Sequence, residues 1–318
     1  MVEAPGFEAI QAARTRIAAS VRRTPVLRSD SLDEALGARL YFKCENLQLT
    51  GAFKARGAFN AVLNLTAAQA ARGVVTHSSG NHGAALALAA RTRGIPAYVV
   101  APRTTPATKQ DNMRRYGATL QLCEPTLAAR EAAAQQVAAA TGATMIHPFD
   151  NADVMAGQGT VALELLEQVP ELAAIVCPIG GGGLISGVAV AAHAVNAQIR
   201  VLGAEPAGAD DARRSWEAGR ITPVAQPSSL ADGLLATIAP STFEVIRTQV
   251  QAVGSASEAQ IVAAMRLVWD ELKIVIEASS AVPLAALLNG SLSADGQRVG
   301  IILTGGNVDL QRLPWKQD

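Results

Sequence analysis

Four consecutive glycines, Gly180 to Gly183, stand between Cys177-Pro178-Ile179 and Leu184-Ile185-Ser186-Gly187. A run without side chains at the start of a helix leaves backbone N–H groups open to a ligand. The helix dipole adds positive potential, so the loop suits a phosphate. A tight turn packed on a sheet would need only one or two glycines, and ordering four carries an entropy penalty that a bound anion offsets. The run satisfies neither G-x-G-x-x-G nor the G-K-[ST] ending of a triphosphate loop. Without a lysine to meet a triphosphate, a monophosphate fits best.

Two other strings carry reactive residue types. Lys54 lies in Gly51-Ala52-Phe53-Lys54-Ala55-Arg56-Gly57-Ala58; taken alone, a lysine near a helix start is usually a solvated surface residue. In Glu205-Pro206-Ala207-Gly208-Ala209-Asp210-Asp211, carboxylates flank a backbone carbonyl, which suits Mg2+ or Ca2+. On spacing alone, a solvated acidic turn capping a helix explains that string better. The histidines, His77, His82, His147 and His193, show no zinc spacing. Cys44, Cys123 and Cys177 are far apart without a C-x-x-C pair, so buried reduced thiols are expected.

The elements that must position these residues follow from periodicity. Short β-branched runs predict strands over 40–44, 74–77, 97–100, 120–123, 174–178, 201–204 and 299–303. Ala/Leu-rich stretches of helical period predict helices over 58–65, 82–93, 108–116, 127–140, 153–168, 184–195 and 258–273. Their alternation implies an α/β fold, two-lobed, with mostly parallel open sheets and helices on both faces. Ser78–Gly83, Gly180–Gly183 and Thr304–Asn307 are read as glycine-containing turns that each follow a strand and open a helix, where ligands of open α/β sheets collect. Residues 219–230 read as a surface loop.

Composition narrows the function classes. The chain has 318 residues, 49% hydrophobic and 17% charged, with 27 basic and 27 acidic residues. A balanced chain without a basic run offers nucleic acid no footprint. The longest apolar run, near 184–195, falls short of the roughly 18 residues of a membrane span, and the first residues do not read as a signal peptide. A cytoplasmic protein is expected, with neither nucleic acid nor membrane as partner.

Gly-Ala-Phe-Lys-Ala-Arg-Gly-Ala (51–58), Ser-Ser-Gly-Asn-His-Gly (78–83) and the tetraglycine run occur in one order. Together the set resembles the fold-type II pyridoxal-phosphate (PLP) enzymes, in their serine/threonine dehydratase and serine racemase branch. The likeness extends from Arg22-Arg23-Thr24-Pro25 to Thr304-Gly305-Gly306-Asn307-Val308-Asp309. It implies a tryptophan synthase β-like architecture, with a large PLP-binding domain over 1–52 and 146–318 and a small mobile domain over 53–145. It implies a homodimer, and an ammonia-lyase that converts a small β-hydroxy amino acid such as L-serine or L-threonine to a 2-oxo acid and ammonia. Serine racemisation with side elimination, or dehydration of 3-hydroxyaspartate or a bulkier β-hydroxy amino acid, are the alternatives it leaves.

Carried over by residue, the resemblance implies that Lys54 holds PLP as an internal Schiff base and removes the Cα proton, with Phe53 against the ring. Gly180, Gly181, Gly182 and Gly183 would bind the phosphate, Asn81 the ring hydroxyl, and Thr304 the pyridine nitrogen. Ser78, Ser79, Asn81, His82 and Gly83 would hold the substrate. A hydroxyl at the ring nitrogen keeps the ring neutral, a weaker electron sink that suits elimination. The position of Ser79 matches the second base of racemases, and a serine there also occurs in 3-hydroxyaspartate dehydratases. Glu205, the Ala209 carbonyl and Asp211 match positions that bind Mg2+ or Ca2+. In Glu277-Ala278-Ser279-Ser280-Ala281-Val282-Pro283 the version present resembles hydroxyaspartate-type members. Glu277 itself reads equally as a site carboxylate or an ordinary helix-start acid. A C-terminal regulatory domain like that of larger threonine dehydratases is not expected.

Overall fold

In a computed structural model of the chain, residues 2–294 and 296–315 are described. The strands are β1 (Val26–Leu27), β2 (Arg39–Cys44), β3 (Val74–His77), β4 (Ala97–Pro102), β5 (Thr119–Cys123), β6 (Thr144–Met145), β7 (Ala174–Pro178), β8 (Arg200–Pro206), β9 (Ala252–Ala256) and β10 (Arg298–Leu303). The helices are α1 (Phe7–Ile17), α2 (Asp30–Leu36), α3 (Lys54–Leu63), α4 (Ala67–Arg72), α5 (Asn81–Arg93), α6 (Ala107–Arg115), α7 (Leu127–Thr141), α8 (Ala152–Gln168), α9 (Gly183–Val195), α10 (Asp211–Ala218), α11 (Pro240–Gln249), α12 (Glu258–Leu272) and α13 (Ala278–Leu288).

Two sheets result. One has the order β1-β2-β10-β7-β8-β9 and is parallel except for the β1–β2 edge pair; the other, β5-β4-β3-β6, is parallel throughout. Both β3 and β7 are buried along their whole length, as strands covered on both faces must be, which is why they read as unbroken apolar runs. On one face of the larger sheet, Ile261, Met265 and Val268 of α12 pack with Leu284 of α13. On the other, Leu165 of α8 meets Ile185 and Val188 of α9 and Ile246 of α11.

The helix α8 is the spine on which the candidate site is mounted. A Cβ on Gly157 would stand 2.6 Å from the Arg56 carbonyl oxygen and from Gly57 Cα, and one on Gly159 would stand 2.7 Å from the Gly187 carbonyl oxygen. Two residues turn a helix by about 200°, so α3 and α9 approach α8 backbone to backbone on different sides.

Two expectations are corrected. The helix expected from 58 begins four residues earlier, at Lys54. Gly57 weakens the local helical signal, yet its missing side chain lets α3 approach α8, where a Cβ would meet Val154 O at 2.7 Å. The turn Thr304–Asn307 opens no helix: Gly305 instead pairs with Ala52 in an isolated antiparallel bridge, and Gly306 N donates to Gly51 O. Among the described residues no helix is long and apolar enough to cross a membrane.

Candidate active site

The approach to Lys54 is set by its backbone. Thr50 (φ 58°) and Gly51 (φ 73°) are both left-handed and reverse the chain after β2. Phe53 N then donates to Thr304 O at 2.9 Å, placing the first turn of α3 against the end of β10. Lys54 Nζ donates to Pro148 O at 2.9 Å and lies 5.1 Å from the centre of the Phe53 ring. Burial lowers the amine from 10.5 to about 8, with the negative charge of Glu277 opposing the shift. Roughly a tenth of it is therefore neutral and nucleophilic at pH 7.

The Ser78–Gly83 loop follows β3 and leads into α5. Ser78 Oγ accepts from Gly80 N (3.2 Å) and Gly83 N (3.0 Å), which holds the loop closed, while Ser79 is exposed at its crest. Asn81 Nδ2 donates to both oxygens of Glu277 (3.0 and 3.2 Å), and Asn81 Oδ1 accepts from Asn307 Nδ2 at 2.8 Å. Asn307 also donates to Thr50 O at 2.7 Å. His82 is buried, with Nε2 3.4 Å from Ile146 O and Nδ1 without a partner. Burial holds it neutral, well below 6.5.

All four glycines of the 180–183 run are present because nothing larger fits. A Cβ on Gly181 would stand 2.4 Å from the Phe149 ring, one on Gly183 would stand 2.9 Å from Phe149 Cβ, and Gly182 is left-handed (φ 85°). Thr242 Oγ1 fixes the loop by donating to Gly181 O at 2.9 Å. No side chain caps α9, so the first-turn N–H groups that lack intrahelical acceptors remain available to an anion. Phe149 directly follows Pro148, whose carbonyl accepts Lys54, so the lysine and the glycine cradle share one short segment. These features fit PLP: a desolvated amine for its aldehyde, an uncapped helix start for its phosphate, and a ring-sized aromatic beside the lysine.

The opposite wall comes from 277–280 and 304–307. Thr304 Oγ1 lies 3.1 Å from Ser280 Oγ, which donates to Gly305 O (2.7 Å) and accepts from Gly305 N (2.8 Å). Glu277 stands at the N-cap of α13, but its side chain makes no cap bond there and turns towards Asn81 and Gly305. Burial raises its carboxyl from 4.5 to about 7, against the hydrogen bond from Asn81. Both readings of Glu277 are thus met by one residue: the backbone starts the helix and the carboxylate faces the cleft. At the rim, Lys109 of α6 pairs with Asp232. Sequence reasoning missed Asn307 as a side-chain ligand, Pro148–Phe149 and the Lys109–Asp232 pair. None of these carries a local signal, because each acts through a contact distant in sequence.

Glu205 and Asp211 lie together at the end of β8 and the start of α10. Glu205 accepts from Ala212 N (3.1 Å) and Arg213 N (2.8 Å), and Asp211 Oδ2 accepts from Ile238 N (2.9 Å). Arg213 and Arg214 are taken by Asp210 instead. Burial therefore raises Glu205 well above 4.5 and Asp211 from 3.8 to about 6. A buried acidic pair with no side-chain cation fits a hard metal ion, although among the described residues no group of three or more His, Cys, Asp or Glu is placed to hold one. Cys44, Cys123 and Cys177 are buried free thiols.

Comparison with known proteins extends this geometry. The family model described as "Pyridoxal-phosphate dependent enzyme" matches residues 17–305. The chain is 51% identical to a β-hydroxyaspartate dehydratase of Paracoccus denitrificans over 98% of this chain and 99% of that one. It is 50% identical to a serine racemase of Arabidopsis thaliana, covering 96% and 93%. The solved structure of maize serine racemase superposes with a TM-score of 0.95 at 47% identity, covering 97% of this chain and 95% of that one.

Proposed function

The chain belongs to the pyridoxal-phosphate-dependent enzymes, and from that premise we propose that it eliminates water from a small β-hydroxy amino acid to give a 2-oxo acid and ammonia. The observation that carries this reading is the shared Pro148–Phe149 segment, which joins a desolvated lysine to an uncapped glycine cradle. Lys54 holds the cofactor and, once the substrate amine displaces it, takes the Cα proton on Nζ; a midpoint of about 8 keeps that amine in use near neutrality. When bound, the cofactor supplies an electron sink for the charge that develops at Cα. Gly180 to Gly183 seat its phosphate, Phe53 lies against its ring, Asn81 meets the ring hydroxyl and Thr304 the ring nitrogen. Ser78, Ser79, Asn81, His82 and Gly83 receive the substrate carboxylate, and a lobe over 53–145 closes upon it to exclude water.

Within this class we place 3-hydroxyaspartate ahead of L-serine and L-threonine. The full-length likeness to the Paracoccus protein supports that order. So does Lys109, whose Nζ lies 3.8 Å from where a Cβ on Gly80 would stand, as a cation for a side-chain carboxylate. Serine racemisation is the second reading, supported by the plant relative and by the exposed Ser79 hydroxyl on the loop crest. Glu205, the Ala209 carbonyl and Asp211 hold Mg2+ or Ca2+, and the protein acts as a cytoplasmic homodimer.

The test begins with the visible spectrum of the purified protein before and after borohydride, with peptide mapping. A band abolished by borohydride, with the label on Lys54, is expected. A panel of L-serine, L-threonine, D-serine and both 3-hydroxyaspartate diastereomers, read by 2-oxo acid release and by chiral chromatography, then decides the reaction. Full turnover by a Lys54→Ala variant would overturn the mechanism, and D-serine formation faster than 2-oxo acid release would favour the racemase.

A further inference from the structure

Two residues beyond Lys54, the fully buried Arg56 leaves α3 about 200° away from the lysine. Its Nε and Nη2 donate to Glu45 Oε2 and Oε1, each at 2.8 Å, and its Nη1 and Nη2 donate to Glu164 Oε1 (2.7 Å) and Oε2 (2.8 Å). Lys43 Nζ closes the set by donating to Glu164 Oε2, Thr24 O and Gln168 Oε1, each at 2.8 Å. Thr24 Oγ1 donates to Glu45 Oε1 at 2.6 Å. Side chains of Lys43, Glu45 and Arg56 are 0% exposed and that of Glu164 13%. The cluster holds two cations and two anions, with its donors matched to acceptors.

Such a cluster contributes little stability over apolar packing of the same volume. What apolar packing lacks is direction, whereas two carboxylate forks on one guanidinium define its plane and hence the rotation of the helix that bears it. The partners come from β2, from Glu45 just after it and from α8, all mounted on the six-stranded sheet. The other face of α3 packs Phe59 and Val62 against Leu86 and Ala89 of α5, on the side of the four-stranded sheet. A second grip lies one residue further on, where Gln158 Oε1 accepts from Gly57 N at 3.1 Å.

We propose that Arg56 is a positioning residue: its double fork fixes the rotation and register of α3, so that Lys54 stays in one frame with α8, α9 and the glycine cradle while α5 and the Ser78–Gly83 loop move. This rests on the reading of Lys54 as the cofactor lysine. An Arg56→Lys variant keeps the charge and loses the forks. The holoenzyme of that variant is expected to lose about 10- to 100-fold in kcat, as a displaced reacting group does, with KM within about threefold. The pH midpoint of its visible absorbance band should move by about one unit. Glu277, His82 and His147 are the other titratable groups facing Lys54, and the substitution leaves them in place, so the shift reports the position of the lysine. Should Arg56→Lys fail to fold, Glu164→Gln, which leaves the Glu45 fork intact, decides on the same two readouts. A lowered Tm with unchanged kcat and unchanged band midpoint in the folded variants would make the cluster merely structural and sink the proposal. Failure of borohydride to fix the wild-type band on Lys54 would instead remove the cofactor reading itself.

Discussion

Glu277 accepts from Asn81 at 3.0 and 3.2 Å, and burial moves its carboxyl from 4.5 to about 7. The folded state therefore binds more protons than the unfolded chain between these two values, so this group lowers stability as pH rises through that window. Above pH 7 the full penalty is present, about 3 kcal/mol; below 4.5 it vanishes. A Glu277→Gln variant should match the wild type in thermal unfolding at pH 4.5 and exceed it at pH 8. It should nevertheless turn over more slowly, because Asn81 loses a charged acceptor and Lys54 loses the charge that holds its amine up near 8. Unfolding curves at the two pH values check the sign: a variant less stable than wild type at pH 8 would mean that Glu277 is ionised and well solvated. The site thus keeps a carboxylate that stability alone would discard.

At the level of elements, the spacing of Lys54 from the glycine cradle is a property of α8. A methyl on Gly157 would press on the Arg56 carbonyl and Gly57 Cα at 2.6 Å, both backbone atoms that cannot step aside. Gly157→Ala is expected to destabilise by about 1–3 kcal/mol and to lower kcat more than it raises KM, whereas Gly6→Ala, where a methyl meets nothing within 4 Å, should do neither. At the β8–α10 junction, Mg2+ or Ca2+ is expected to raise Tm in a concentration-dependent way. A Glu205→Gln/Asp211→Asn double variant should lose that response, and thermal scans with and without chelator read it. These elements also mark what the sequence made legible. The strands β3 and β7 and the helices α5 and α9 were readable because burial on both faces or an Ala-rich helical run leaves a local pattern. The chemistry of Lys54 needed its whole motif set, since one lysine in isolation looks like surface. The two-residue strands β1 and β6 have no period to detect, and β9 hides behind Gly254 and Ser255 in Ala252–Ala256. Gly157, Gln158 and Gly159 act through partners such as Gly57 and Gly187 that only the folded chain brings near.

Across the whole molecule, two polar ties join the elements around the four-stranded sheet to those around the six-stranded one. Within the cleft, Asn81 of α5 is held by Glu277 and Asn307. At the rim, Lys109 of α6 is held by Asp232, with side-chain exposures of 25% and 57%. The inner tie involves residues that the reaction needs, so the outer pair is the one that can be removed to test closure. An exposed pair of this kind contributes up to about 1 kcal/mol, or roughly fivefold in the ratio of closed to open forms. Lys109→Met should therefore raise KM for L-serine about two- to fivefold and leave kcat within about twofold. High salt should bring the wild-type KM up towards that of the variant, because screening weakens the same pair. For 3-hydroxyaspartate the loss should be larger, since Lys109 would then leave a substrate carboxylate unpaired as well as Asp232. Steady-state kinetics with both substrates at low and high salt separate these contributions. Equal losses for both substrates would assign Lys109 to closure alone, and a salt-independent KM in the wild type would mean that the rim pair does not govern closure.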